Sequence, residues 1–199
     1  MDVWSFEQLL EVEDLFVQDV IIKNEVIEYA HVEKLQLMNV IFERCTFIDC
    51  NFSKWDVTDC EFLHCDLSNC RLEEGFYYRT TFLNCKCIGT RFAKSRFKQT
   101  IFKQCFGNYI VFSEAMFDQT MFEQCTLNES DFYAINQQKL TFTYCELNAA
   151  NFEATKLIGL DISSCIFHEL TVDLEKAKGL IISDAQAAIF AMMLGLTIK

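Results

Sequence analysis

The chain has 199 residues, no proline, 20 phenylalanines and a net charge of −12 from 29 acids against 17 bases. That length fits one domain, and so acidic a balance repels nucleic acid, which excludes direct nucleic-acid binding as an expectation. No apolar run reaches bilayer-spanning length, and the acidic N-terminus lacks the basic and apolar regions of a signal peptide, so a cytoplasmic protein without membrane contact is expected.

Residues 1–34 carry nine acids and two bases, a net −7. Phe6, Leu9, Leu10 and Val12 recur at near-helical spacing, and Val20, Ile21 and Ile22 read as extended. The segment is expected to cap one end of a repeat region. Ile22, Ile27 and Val32 already stand on the register of those repeats, so an incomplete coil begins there.

From Leu37 to Val172 every fifth residue is large and apolar, as in Phe42, Phe47, Phe52, Val57, Phe62 and Leu67. Of 28 such positions only Cys87, Gly107 and Gln137 depart. Two residues before each centre stands a second column of mostly small residues, including Cys45, Cys50, Cys60, Thr80, Thr90 and Ser95. Five residues on an α-helix advance about 500°, so such a stripe would wander round the surface. On a strand an odd period alternates faces. Burying every fifth residue requires the chain to turn a corner after each five. Cys45, Cys65, Cys85, Cys105, Cys125, Cys145 and Cys165 are spaced by twenty, and so are Phe42 through Phe142. Twenty is four fives, so one coil has four sides and residues twenty apart stack, as in a β-helical solenoid. The 28 repeats over residues 35–172 give about seven coils, a rod of about 34 Å at the inter-strand spacing.

Ten of the eleven cysteines fall in the small column, where they act as small buried apolar residues. Reduced thiols are expected, although stacked cysteines would come within disulfide reach in an oxidising compartment. Between Glu74 and Glu114 no acid occurs, and the gap holds Arg79, Lys86, Arg91, Lys94, Arg96, Lys98 and Lys103. The rod should have acidic ends and a basic belt. Ile101, Phe106, Val111, Met116 and Met121 precede successive centres, where polar residues are usual, and Phe76 does so earlier. Read as outward-facing, they form an apolar band around mid-rod and a candidate partner interface. Gly107, at a centre, leaves room for Phe106 to turn inward.

Residues 173–199 close the other end. Leu180, Ile181 and Ile182 read as a short strand. Ser183 with Gln186 forms a capping-box pattern, and the helix should run from Asp184 to Leu194 and stop at Gly195. It is apolar on nearly every side, so one side closes the rod and the other needs cover. A second copy of the chain is the expected cover, giving a homodimer through Ile189, Phe190, Met192, Met193, Leu194 and Leu196. The alternative is that the tail Leu196–Lys199 folds over the exposed side.

The pattern of small residue, polar residue, Phe or Leu and two variable positions, as in CDLSNCRL, CTLNESDF and CELNAANF, resembles the pentapeptide-repeat family. The resemblance covers residues 35–172 and implies a right-handed quadrilateral β-helix, so the predicted fold is all-β with a short N-terminal cap and a C-terminal α-helix. The ending GLIISDAQAAIFAMMLGLTIK is similar to the helix and tail of Qnr-type quinolone-resistance proteins, especially the chromosomal forms of Gram-positive bacteria. That resemblance implies a dimeric rod that imitates duplex DNA, binds DNA gyrase or topoisomerase IV and protects them from fluoroquinolones. Two features depart from it. The unbroken register leaves no room for the projecting loops of plasmid-borne members, and the belt from Arg79 to Lys103 would repel a basic groove at mid-rod.

No motif points to catalysis. His31, His64 and His168 show no ligand spacing, the cysteines form no CxxC, and no nucleophile elbow or phosphate loop occurs. No metal, cofactor or small-molecule substrate is expected, and an enzyme site at a cap has no motif behind it. The alternative function is a non-catalytic interaction scaffold whose partner reads the belt or the band.

Overall fold

The computed structural model describes residues 1–197. The chain is an all-β solenoid of about eight coils closed by a C-terminal helix. From Asp19 to Gly159 every fifth residue has a positive φ, between +48° and +75°. These are the corners that the five-residue period demands. Asn, Asp and His tolerate the left-handed region best, and they hold corners such as Asp19, Asn24, Asn39, Asp59, His64 and Asn69.

All pairing along the rod is parallel, between residues twenty apart except at β1, which pairs eighteen residues on. Side one is a sheet of seven strands that opens with β2 (Phe16–Gln18), and side two is a sheet of eight. Side two opens with β1 (Asp2–Val3), which pairs with β3 (Val20–Lys23). Side three begins with β4 (Val26–Glu28) paired to Thr46–Ile48, then continues as single bridges such as Lys86 to Phe106 and Phe106 to Thr126. Side four consists of bridges such as Arg91 to Val111 and ends in a short strand pair, Ala150–Asn151 with Leu170–Thr171. Sides three and four carry tight turns, in which Cys70 N donates to Leu67 O (3.0 Å) around Asn69 at φ +60°. A positive φ at the third residue is what a type II turn requires.

The centres stack along the axis. Phe62, Phe82, Phe102 and Phe122 lie face to face with centroids 4.8, 4.6 and 4.7 Å apart. Each buried Phe contributes about 1.5–3 kcal/mol. The small column has a second task besides fitting a narrow space. Cys85 Sγ donates to Phe62 O (3.2 Å), Cys105 Sγ to Phe82 O (3.3 Å), Thr90 Oγ1 to Leu67 O (2.7 Å) and Ser95 Oγ to Leu72 O (3.0 Å). A thiol or hydroxyl here satisfies a buried carbonyl 23 residues earlier. Trp55 is a large occupant of that column, stacked on Phe52 at 4.2 Å with its Nε1 donating to Val32 O (2.6 Å).

Two expectations need correction. The coil predicted to be incomplete is whole: β2, β3, β4 and His31 each pair with the residue twenty further on, which brings the rod to about eight coils rather than seven. Phe106 does not turn inward. It is 54% exposed, and Ile110 and Leu127 fill the space at Gly107, where an added Cβ would lie 3.0 Å from Leu127 Cδ2.

The cap helix α1 (Phe6–Leu10) lays Phe6 and Leu9 on the core, with Phe6 beside Phe47 and Phe52. At the other end α2 (Asp184–Met193) follows the expected capping box at Ser183 and Gln186, ending one residue earlier than predicted.

Candidate interaction surfaces

Because the chain turns after every five residues, consecutive outward positions fall on consecutive sides. The five residues of the predicted band therefore encircle the rod. Ile101 and Met121 pair on side two; Phe106 lies on side three between Lys86 and Thr126, and Val111 on side four between Arg91 and Asp131. Met116 lies on side one between Arg96 and Asn136. Ile101, Phe106, Met116 and Met121 are exposed and Val111 half-buried. A flat partner meets one side or one corner of this ring, never all five residues. On side one Met116 extends a surface with Phe76, Arg96 and Lys98. The Phe76 and Tyr78 rings stack there at 6.2 Å, and the Arg79 guanidinium sits 3.9 Å over Tyr78.

The basic belt is largely neutralised by the neighbouring coils. Arg79 pairs with Asp59, Lys86 with Asp66 (3.7 Å), Arg91 with Glu73 (2.7 Å) and Lys103 with Glu123 (2.9 Å). The Arg79 guanidinium holds the Asp59 carboxyl below its ordinary range. Among the described residues Lys94, Arg96 and Lys98 make no ion pair. Three of the four pairs are separated by twenty residues, so the coil period itself marks them in the sequence.

At the C-terminal end the six predicted dimer residues divide. Ile189 and Phe190 pack against the core, with Phe190 edge-on to Phe167 at 6.3 Å. Met192, Met193, Leu194 and Leu196 face outward, Met192 57% and Leu194 61% exposed. Sequence reasoning assigned Gln186 to the capping box alone; its Nε2 also donates to Ile162 O (2.9 Å) and Cys165 O (2.7 Å) and so ties α2 to the last coil. Of the alternative cover for α2, Leu196 and Thr197 are exposed, and Ile198 and Lys199 lie outside the described residues.

All eleven cysteines are free and buried. Among the described residues no group of three or more His, Cys, Asp or Glu side chains is placed to hold a metal, and no helix is long and apolar enough to cross a membrane.

A four-sided parallel coil with a left-handed corner at every fifth residue is the architecture of pentapeptide-repeat proteins, and this chain belongs to that family. The family descriptions "pentapeptide repeats" and "pentapeptide repeat region" match residues 36–74 and 77–152. Among solved structures it is similar to full-length QnrB1, a plasmid-mediated fluoroquinolone resistance protein, at 16% identity and a TM-score of 0.52, over 88% of this chain and 100% of that one. It is also similar to HetL from Nostoc sp. strain PCC 7120, a pentapeptide-repeat protein involved in heterocyst differentiation regulation. There the identity is 13% and the TM-score 0.35, over 85% of each chain. At 16% identity the likeness to QnrB1 is one of fold alone. No curated protein matches the chain in sequence.

Proposed function

We propose that this protein binds a type II topoisomerase, DNA gyrase or topoisomerase IV, as a charge mimic of duplex DNA and protects it from fluoroquinolones. The observation that carries this reading is the pairing of Arg79, Lys86, Arg91 and Lys103 with acids of adjacent coils, in a rod whose ends stay acidic. The belt that would repel a basic DNA-binding saddle is thereby reduced to Lys94, Arg96 and Lys98. An acidic rod in such a saddle gains the attraction that DNA phosphates gain. The fold shared with QnrB1 supports the same reading. On this reading it is a loopless protein of the Qnr type, consistent with its unbroken register, that acts by binding, in the cytoplasm and without catalysis. Two copies join through the outward residues of α2, Met192, Met193, Leu194 and Leu196.

A second reading rests on the exposure of Met116 and Met121, on the adjacent sides one and two: a scaffold whose partner packs on that corner of the mid-rod ring. Salt separates the two. Binding to gyrase through charge weakens steeply between low and physiological ionic strength, whereas docking on the ring does not. Salt-independent affinity, lost on changing Met116 and Met121 to Ser, would establish the scaffold instead.

A further inference from the structure

Residues twenty apart pair along the sides of this rod, and eighteen apart where β1 covers β3, so the partner strand of β4 would come from residues 6–10. They are helical instead. Ser5 Oγ accepts from Gln8 N (3.2 Å) and Gln8 Oε1 accepts from Ser5 N (2.8 Å), a capping box that winds this stretch into α1. A helix turns its backbone groups inward and offers a strand no ladder. β4 is therefore paired on one edge alone, with Thr46–Ile48. The next coil shows which groups are left over. There Thr46 N donates back to Glu25 O (2.8 Å) and Ile48 O accepts from Tyr29 N (2.8 Å). The equivalent groups of β4 are the Val26 N–H and the Glu28 C=O, and neither has a hydrogen-bond partner among the described residues. On side two the same edge is closed, because β1 covers β3.

A groove of about 690 Å³ runs beside this open edge, between α1 and the stretch from Glu25 to Val32. Leu10 and Val26 give it apolar walls, and both are exposed. Glu7 and Glu28 line it with exposed carboxylates, while Glu25 is engaged, accepting from Phe6 N at 2.8 Å. We propose that this groove takes an extended, basic segment of a protein partner, which adds to β4 as an outer strand. Main-chain bonds to Val26 and Glu28 hold such a strand, and alternate side chains set its specificity. Its Lys or Arg side chains meet Glu7 and Glu28, and its apolar ones lie on Leu10 and Val26. A second copy of this chain fits poorly, because it would bring one cap of net −7 against another. The site is independent of the topoisomerase reading, since it needs only a partner with an exposed basic strand.

The test is NMR on the isotope-labelled full chain, titrated with a blocked hexapeptide alternating lysine and valine, and in parallel with its glutamate–valine counterpart. The expected result is that the lysine peptide shifts the amides of Val26 to Tyr29 and of α1, and slows exchange of the Val26 amide. The glutamate peptide should leave them unmoved. Glu28→Lys and Glu7→Lys, both at exposed sites, should each weaken the lysine peptide about tenfold at low salt. Equal binding of the two peptides, shifts that map away from β4 and α1, or no shift at millimolar peptide would overturn the proposal.

Discussion

The side-chain nitrogen of Gln186 lies 2.7 Å from the carbonyl oxygen of Cys165. Its second bond goes to Ile162 O at 2.9 Å, which also accepts from Cys165 N (2.9 Å), so the carbonyl that depends on Gln186 alone is that of Cys165, with no further coil to receive it. Gln186 Oε1 meanwhile accepts from Ser183 N at 2.8 Å, so one 5%-exposed side chain both starts α2 and fastens it to the rod. Buried carbonyls left without donors cost about 1–3 kcal/mol each. Gln186→Ala is therefore expected to destabilise the chain by about 2 kcal/mol or more. In hydrogen exchange α2 should open before the coils do. An unchanged denaturation midpoint would contradict this role.

Gly75 is imposed by Tyr77. A Cβ at Gly75 would lie 2.8 Å from Tyr77 Cε2 and 2.9 Å from its hydroxyl oxygen. Tyr77 is fully buried, with its hydroxyl donating to Leu72 O at 3.3 Å, so the ring has nowhere to move. Gly75→Ala should cost about 1–3 kcal/mol through overpacking. Adding Tyr77→Leu should make the double variant less unstable than the sum of the two changes, as measured by urea denaturation. Strict additivity would show that the clash is not the cause.

The buried thiols set an alkaline limit. Burial pushes Cys60 up to about 12 from an ordinary value of 9.0, and pushes Cys87 well above it. A raised folded-state value means that the contribution to stability is complete below about pH 9. It is lost as pH rises from there towards about 12, because unfolded thiols ionise while folded ones remain neutral. Stability should fall through this window, and replacing Cys60 with Ala should flatten part of the fall. In native protein at neutral pH the eleven cysteines should resist a thiol reagent that labels them all after unfolding. Rapid native labelling would contradict the burial.

Met192 and Leu194 project from the end of α2 with no cover among the described residues. Changing both to Glu places like charges in the proposed dimer seam while leaving Ile189 and Phe190 on the core. The variant should run as a monomer by light scattering at a concentration where the parent is dimeric, with its melting profile otherwise kept. A monomeric parent would remove the dimer from the account.

Much of this fold is legible in the sequence because one geometric rule repeats. The centre at every fifth position, the small donor two before it and the twenty-residue cysteine ladder each report the same four-sided coil. The first coil is harder to read. Val17, Ile22, Ile27 and Val32 hold its centres in place of Phe or Leu, and Leu15, Val20 and Glu25 occupy its small column. The outward turn of Phe106 depends on Leu127 from the next coil filling the space at Gly107, which no local pattern announces. The ion pairs of Arg79, Lys86 and Lys103 lie one twenty-residue step from their acids, so the same column reading that yields the core also yields them. The α1 helix in place of a strand is marked by Ser5 and Gln8, and the edge it leaves open on β4 becomes visible only once the coil register is placed.

The central claim is best tested by gyrase supercoiling at an inhibitory fluoroquinolone concentration, with this protein titrated in. The account predicts recovery of supercoiling at submicromolar protein, lost as salt rises through the physiological range. No recovery, together with no effect on gyrase in the absence of drug, would contradict it.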